Sequence, residues 1–246
     1  MSETAAVPAQ PSPGLFARAI GMITSPRATY EQIVKNPKPV GILFLVALVI
    51  AIAAALPQST ETGRQAALDQ QVKQTERFTG RPVNDQQYAR MESMSKYGPV
   101  FALVGTFVTL PIFSLIFAGI FFVAFNVVLG GTASFKQVLA VVTHSQVIGA
   151  LGALLGAPIQ MLKGTVTMSG PFNLGALAPF LEEGSKPATF LGMISVFMIW
   201  GTIVNAIGLG VLYRRNSRTI AIVLLALWFL FFGVITMLFS GAASAG

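Results

Sequence analysis

The chain has 246 residues, of which 54% are hydrophobic and only 10% charged, so it is too apolar for a soluble domain, where about a quarter of the residues are charged. It contains no cysteine and a single histidine, which excludes a disulfide framework and cysteine nucleophiles and argues against a protein-built metal site. The formal net charge of +7 does not indicate a nucleic-acid partner, because the basic residues lie beside apolar runs instead of forming one patch.

The first 38 residues precede any segment long enough to cross a membrane. Residues 1–14 are rich in Pro, Ala and Ser and are predicted to form a disordered tail. Residues 15–38 are predicted to form two short amphipathic helices, with Ser25 as N-cap of the second and Pro26 at its first position. Two arrangements are open: the helices lie in the headgroup layer with basic side chains toward anionic lipid, or they pack on the ends of the spans.

Five apolar segments are each long enough to cross a hydrocarbon core of about 30 Å. The chain is therefore predicted to be an all-α integral membrane protein, with a five-helix transmembrane bundle in residues 39–240 and the lipid bilayer as its surroundings. The predicted spans are approximately residues 39–57, 98–129, 135–162, 188–213 and 220–239.

The segments between these spans differ in character. The charged stretch 58–97 repeats apolar residues at helical spacing, which predicts an extramembrane helical loop between spans one and two. Ser134 and Gln137 have the spacing of a capping box and predict the start of span three. Residues 163–187 are rich in Gly and Pro, which predicts an ordered loop on the membrane surface, with a re-entrant segment as the alternative.

The basic residues predict the orientation in the membrane. Arg214, Arg215 and Arg218 lie in the short turn between spans four and five, which the positive-inside rule places in the cytoplasm. With five spans, the N-terminus is then cytoplasmic and the C-terminus outside. This orientation places eight basic residues on each side of the membrane, so the total count does not favour it. The prediction depends instead on the basic residues in the tightest turn and on those before span one. The expected location is a bacterial inner membrane.

A polar triplet near the middle of span three is the main candidate site. His144, Ser145 and Gln146 lie about 15 Å into the helix and cover more than half of its circumference, so other helices should enclose this span. Asn126 and Asn205 are candidate neighbours. The functional interpretation is a proton relay or a substrate contact, and the structural one is hydrogen bonding between helices. No charged residue lies within the other four spans, which favours the structural interpretation.

The same helix carries a row of small residues. Gly149, Gly152 and Gly156 follow Ser145 on one face, and the last two have the small-xxx-small spacing. One side of span three is therefore predicted to accept a partner helix at close range. No catalytic, cofactor-binding or metal-binding residues are predicted: His144 and Ser145 point in different directions from the helix, and no nucleotide, zinc or hydrolase motif occurs.

Several motifs resemble those of the Yip family of five-span membrane proteins, the Ypt/Rab-interacting proteins, and particularly its bacterial members. The most specific is the turn Gly-Gly-x-x-Ser-Phe-Lys-Gln between spans two and three. The chain departs from the family pattern at Ser195, where many relatives carry an acid. The matching residues are Gly98, Pro99, Gly130, Gly131, Ser134, Phe135, Lys136, Gln137 and Trp200.

The resemblance implies a function class as well as a topology. It implies a cytosolic N-terminus and a C-terminus across the membrane, and its eukaryotic members are associated with vesicle traffic and Rab-type GTPases. The chain is expected to be prokaryotic. The family fold should then carry over to it, whereas the role in vesicle traffic should not. The function expected here is that of a non-enzymatic interaction or scaffold protein that binds membrane-protein partners or a second copy. The alternative is a small transporter or channel with a polar path near His144.

Overall fold

The computed structural model describes residues 13–166, 170–182 and 185–239, with the backbone alone at Arg77 and Phe239. Most of the predicted N-terminal tail and all of the chain after Phe239 lie outside the described residues. The described part is mainly helical, with a π-helical turn at Val123–Val128 and a 3-10 turn at Leu174–Leu177. Its helices are α1 Leu15–Thr24, α2 Pro26–Ile33, α3 Pro39–Gln58, α4 Glu61–Thr79, α5 Asp85–Ser95, α6 Gly98–Phe122, α7 Phe135–Lys163, α8 Lys186–Gly192, α9 Val196–Tyr213 and α10 Ser217–Phe239.

Five of these helices are long and apolar enough to cross a membrane, which confirms the predicted fold class. They are α3, α6 with its π-helical end, α7, α9 and α10. Span two ends at Val128, close to the predicted residue 129, and only the π-helical conformation of its last turn was not predicted. α7 begins at the predicted capping box, in which Ser134 and Gln137 each bond the other's backbone N–H.

Span four begins later than predicted. The predicted continuous segment 188–213 is divided into α8 and α9 by Met193, Ile194 and Ser195. The preceding loop pairs with this break: Leu174 N–H donates to the Ile194 carbonyl at 2.8 Å, and Val196 N–H donates to the Phe172 carbonyl at 3.0 Å. Because these bonds hold the break out of helical geometry, only α9 has the length of a span.

The two N-terminal helices pack on one end of the bundle, which is the second of the two arrangements left open by the sequence. Met22 and Tyr30 are fully buried, and Tyr30 inserts between α7 and α9, where a Cβ on Gly208 would lie 2.7 Å from its ring. Gln137 donates to the Val34 carbonyl at 2.9 Å and so joins α2 to the start of α7. Ser25 occupies the N-cap position of α2 as predicted, but its side chain makes no capping bond.

The charged segment between spans one and two forms the helical hairpin α4–α5 at the opposite end of the bundle. Thr60 caps α4, and Gly80 ends it in the left-handed conformation that glycine adopts without strain. Asn84 and Gln87 form a capping box at the start of α5. α5 has no buried residue and α4 buries only Gly63 and Leu68 among its described side chains, so this hairpin is mostly solvated, in contrast to the pair α1–α2.

Candidate functional site

His144 lies in the interior of the bundle with no exposed surface. Its Nδ1 is 2.7 Å from the Ala140 carbonyl oxygen, one turn earlier in the same helix. A carbonyl only accepts, so Nδ1 is the donor and Nε2 of the neutral ring is an acceptor. Nε2 is buried and has no hydrogen-bond partner among the described residues. The imidazole is therefore fixed by its own helix.

Ser145 connects span three to span four. Its hydroxyl donates to the Val142 carbonyl at 2.8 Å and accepts from Asn205 Nδ2 at 3.1 Å. Asn205 Oδ1 is buried without a partner in the described part of the chain. The bond between the two side chains joins α7 to α9 at a depth where lipid offers no alternative partner.

Tyr30 brings α2 into the same region. Its hydroxyl donates to the Val141 carbonyl at 3.0 Å, and it also interacts with the Ser145 side chain. Complete burial raises the pKa of Tyr30 far above its ordinary value, because the phenolate would lose its hydration. The phenol therefore stays protonated and remains a donor at physiological pH.

Gln146 and Asn126 make separate contacts. Gln146 Nε2 donates to the Ser114 hydroxyl of α6 at 2.9 Å, so it connects span three to span two on another side of α7. Asn126, in the π-helical end of span two, donates from Nδ2 to the Ala133 carbonyl of the following turn at 2.6 Å. Of the five polar residues grouped by sequence, Ser145 and Asn205 thus bond directly, whereas Gln146 and Asn126 bond elsewhere.

Two residues of the N-terminal helices belong to this site although the sequence did not assign them to it. Tyr30 is one, and Arg18 of α1 is the other. Arg18 is buried, donates from Nε to the Pro13 carbonyl at 2.9 Å and lies close enough to His144 to interact electrostatically. The apolar face of α2 was the only available signal for Tyr30, and it could not show which surface this face covers.

The predicted small-residue face is used over only part of its length. A Cβ on Gly152 would lie 2.5 Å from the Phe197 ring of α9, and one on Gly156 would lie 3.0 Å from Pro171 of the loop. At Gly149 a Cβ would meet no atom within 4 Å. The row therefore accepts an aromatic side chain and a proline, and Gly149 is not part of a close helix contact within the described chain.

These contacts define what the cluster can do chemically. The Ser145 hydroxyl donates to a backbone carbonyl, and the His144 donor is bound to another, so the pair lacks the geometry of a nucleophile and its base. Among the described residues there is no group of three or more His, Asp or Glu that could hold a metal ion. The arrangement is suited to joining helices through hydrogen bonds in a dry interior.

The residues of the family motif lie at two ends of the bundle and in its core. Gly98 faces Gln58 so closely that a Cβ would lie 2.5 Å from its side-chain oxygen. Gly131 N–H donates to the Phe125 carbonyl at 2.8 Å. Phe135 packs edge-on against Phe122. Trp200 packs against the main hydrophobic core.

Comparison with known proteins gives a family and one bacterial relative. The family model described as the Yip1 domain matches residues 20–238. The chain is 27% identical to "Membrane protein YknW" of Bacillus subtilis (strain 168) over 235 residues, which cover 93% of this chain and 90% of that protein. No solved structure matches the chain.

Proposed function

The chain belongs to the Yip1 domain family, and we propose that it is a non-enzymatic interaction protein of a bacterial inner membrane. In this proposal the bundle is a rigid anchor, and its exposed helices bind partner membrane proteins or a second copy. The relative is described only as a membrane protein, so the argument depends on how this chain uses its own polar and apolar surfaces.

The observation that carries the proposal is the enclosure of the polar cluster. His144 is inaccessible, Ser145 and Asn205 bond to each other, and Tyr30 closes the region from α2. The three cavities described for this structure are lined by other residues. A path for a substrate would need polar groups that face an open cavity at this depth. The cluster instead stabilises the helix packing.

The surfaces left for partners are on spans two and five and on the α4–α5 hairpin. In the most apolar window of each of these two spans, only 11% of the residues are buried. Large apolar side chains such as Ile116 on α6 and Leu230 on α10 are exposed, and they face lipid or the helices of another protein. The solvated hairpin adds a charged surface on the other side of the membrane from α1–α2.

The orientation proposed for these surfaces has the α1–α2 end in the cytoplasm. Lys136 and the basic turn after α9 lie at this end. The acid Glu31 also lies here, and its Oε1 is paired with Arg27 Nε at 3.5 Å. Because the chain contains no cysteine, single-cysteine variants can test the orientation directly. In intact cells, Thr132→Cys should resist an impermeant maleimide and Gln86→Cys in α5 should react. The reverse labelling would overturn the proposed orientation.

The interaction itself can be tested by photo-crosslinking in native membranes. A photoreactive residue at Ile116 or at Leu230 should give protein adducts of defined mass, whereas the same residue at buried Ile148 should give none. Coexpression of a tagged and an untagged copy then separates a second copy from a different protein. Uncrosslinked monomer at both exposed positions would contradict the proposal.

One observation favours the alternative, a small transporter or channel. The buried acceptors His144 Nε2 and Asn205 Oδ1 have no partner among the described residues, and intramembrane ionisable groups often mark ion pathways. A flux that depends on His144 would establish this alternative. The absence of an acidic side chain from the cluster weighs against it.

A further inference from the structure

We propose that the cavity beside the turn between α6 and α7 binds a phosphate group, carried either by an anionic lipid headgroup or by free phosphate. The cavity has a volume of about 420 Å³ and lies at the α1–α2 end of the bundle, where Gln137 of its lining bonds the Val34 carbonyl. Its walls come from the family-motif turn and from the end of α9. The lining residues are Gly130, Gly131, Thr132, Ala133, Gln137, Leu212, Tyr213 and Arg214.

The turn supplies backbone donors. The N–H groups of Gly130, Thr132 and Ala133 have no hydrogen-bond partner among the described residues. Gly130 has a φ of +68° and ends the π-helical turn, because the N–H groups of its neighbours Leu129 and Gly131 donate to the Ala124 and Phe125 carbonyls. Thr132 and Ala133 therefore supply the two adjacent free N–H groups of the turn, and adjacent N–H groups of this kind can bind an anion. The first N–H groups of α7 follow directly and add the positive end of the helix dipole.

The close approach of the two walls depends on Gly131. A Cβ at this position would lie 2.7 Å from the Phe125 carbonyl oxygen and 2.7 Å from the Tyr213 ring. Tyr213 stacks on Phe125 with ring centroids 4.7 Å apart. Its hydroxyl is buried and has no hydrogen-bond partner in the described residues.

Arg214 adds a positive charge at a position where the backbone conformation favours glycine. It ends α9 with a φ of 53°, a left-handed conformation that usually belongs to glycine at a helix C-terminus. Strain of this kind is retained where the side chain has a use. Arg214 lines the cavity with an exposed guanidinium, which is the group best suited to a phosphate.

The surroundings of the cavity are basic. Arg215 donates to the Leu129 carbonyl at 3.3 Å, which places the second turn against the first. Neither turn contains an acid. The bond from Gln137 to the Val34 carbonyl brings the basic segment before α3 to the same end. An anion is therefore the complementary ligand. The basic residues around the cavity are Lys35, Lys38, Lys136, Arg214, Arg215 and Arg218.

The test compares two single-charge changes in the purified full-length chain. Short-chain phosphatidylglycerol is titrated into the detergent-solubilised protein, with phosphatidylcholine of the same chain length as the neutral control, and thermal unfolding reports binding. Arg214→Gln should raise the phosphatidylglycerol concentration needed for half-maximal stabilisation about tenfold. This is the loss of affinity expected when a charge-assisted hydrogen bond is removed. Arg218→Gln removes the same charge from the first turn of α10, outside the cavity lining, and should change the stabilisation by less than about threefold.

A second variant separates loss of binding from loss of folding. Arg214→Gly suits the left-handed backbone, so it should unfold at the wild-type temperature or above and still bind phosphatidylglycerol weakly. Inorganic phosphate at millimolar concentration distinguishes the two sources: stabilisation by phosphate that is lost in Arg214→Gly identifies free phosphate, and stabilisation by phosphatidylglycerol alone identifies the lipid. Equal effects of Arg214→Gln and Arg218→Gln, or no stabilisation by either ligand, would overturn the proposal.

Discussion

Spans two and three are successive helices of similar length, but they use the membrane differently. In the most apolar window of α7, 56% of the residues are buried, against 11% in that of α6 and its π-helical end. The mean hydropathy of the two windows runs the other way, 1.8 for α7 and 2.4 for α6. The more polar helix is thus the enclosed one. Lipid cannot satisfy the side chains of His144, Ser145 and Gln146, whereas it surrounds the apolar face of α6 without cost.

This comparison assigns the two helices different roles. α7 contacts α1, α2, α3, α6 and α9 and holds the polar bonds between them. α6 leaves most of its apolar residues at the surface of the chain. Substitutions in the surroundings of α7 should therefore lower the free energy of unfolding, and similar substitutions on the outer face of α6 should change it little.

The largest loss is expected where α2 enters the bundle against α7. Tyr30→Ala removes a fully buried aromatic ring and its bond to Val141, and it should lower the free energy of unfolding by about 3–5 kcal/mol. Phe113→Ala on α6 is the matched control, because this ring is 56% exposed, and it should cost no more than about 0.5 kcal/mol. Unfolding in a denaturing detergent measures both. Equal losses would show that enclosure does not distinguish the two helices.

A smaller loss is expected within α7 itself. Gly152→Ala forces Phe197 to move and should destabilise the protein by about 1–3 kcal/mol through overpacking. Gly149→Ala, one turn earlier, meets open space and should be neutral or stabilising, since alanine favours a helix. The same detergent unfolding compares the two. Destabilisation by Gly149→Ala would indicate a close contact at this position that the single chain does not show.

The polar bond between spans three and four should contribute less than these packing contacts. Hydrogen bonds between membrane helices are worth about 0.6 kcal/mol on average and up to about 1.7 kcal/mol. A double-mutant cycle with Asn205→Ala and Ser145→Ala should give a coupling energy in this range. Thr109 on α6 bonds only the Gly105 carbonyl of its own helix, so Thr109→Ala paired with Asn205→Ala should show no coupling. A coupling near zero for the first pair would mean that the bond does not hold the two spans together.

The smallest effect is expected on the exposed face of α6. Ile112 and Ile116 are each 49% exposed, and their replacement by alanine should change the free energy of unfolding by about 0.5 kcal/mol or less. If partners bind this face as proposed, Ile112→Ala should reduce the adducts formed by a photoreactive residue at Ile116 while stability is retained. A loss of stability equal to that of the α7 variants would contradict the comparison.

The sequence was sufficient for the features that depend on local chemistry. The apolar runs predicted the five spans, and Ser134 with Gln137 predicted the first turn of α7, because capping and hydropathy are local properties. The start of α9 was predicted incorrectly. Its position depends on the bonds of Ile194 and Val196 to the distant loop, and an apolar sequence carries no signal for such pairing.

The candidate site was predictable in part for a similar reason. Three adjacent polar residues in an apolar helix indicated that α7 is enclosed, and this burial is observed for His144 and Ser145. The sequence could not show that Asn126 bonds within its own turn or that Tyr30 reaches Val141 from more than 100 residues away. Side-chain partners across a bundle depend on which helices are neighbours, and periodicity does not determine that.

The most direct test of the central claim is His144→Ala in reconstituted liposomes, with unfolding and proton flux measured on the same preparations. If the cluster holds the bundle together, the variant should lose about 2 kcal/mol or more of stability because a buried side chain is removed, and neither form should carry protons faster than protein-free liposomes. A wild-type protein that dissipates a pH gradient, together with a variant that does not and that unfolds like wild type, would contradict the claim and establish a transport path at His144.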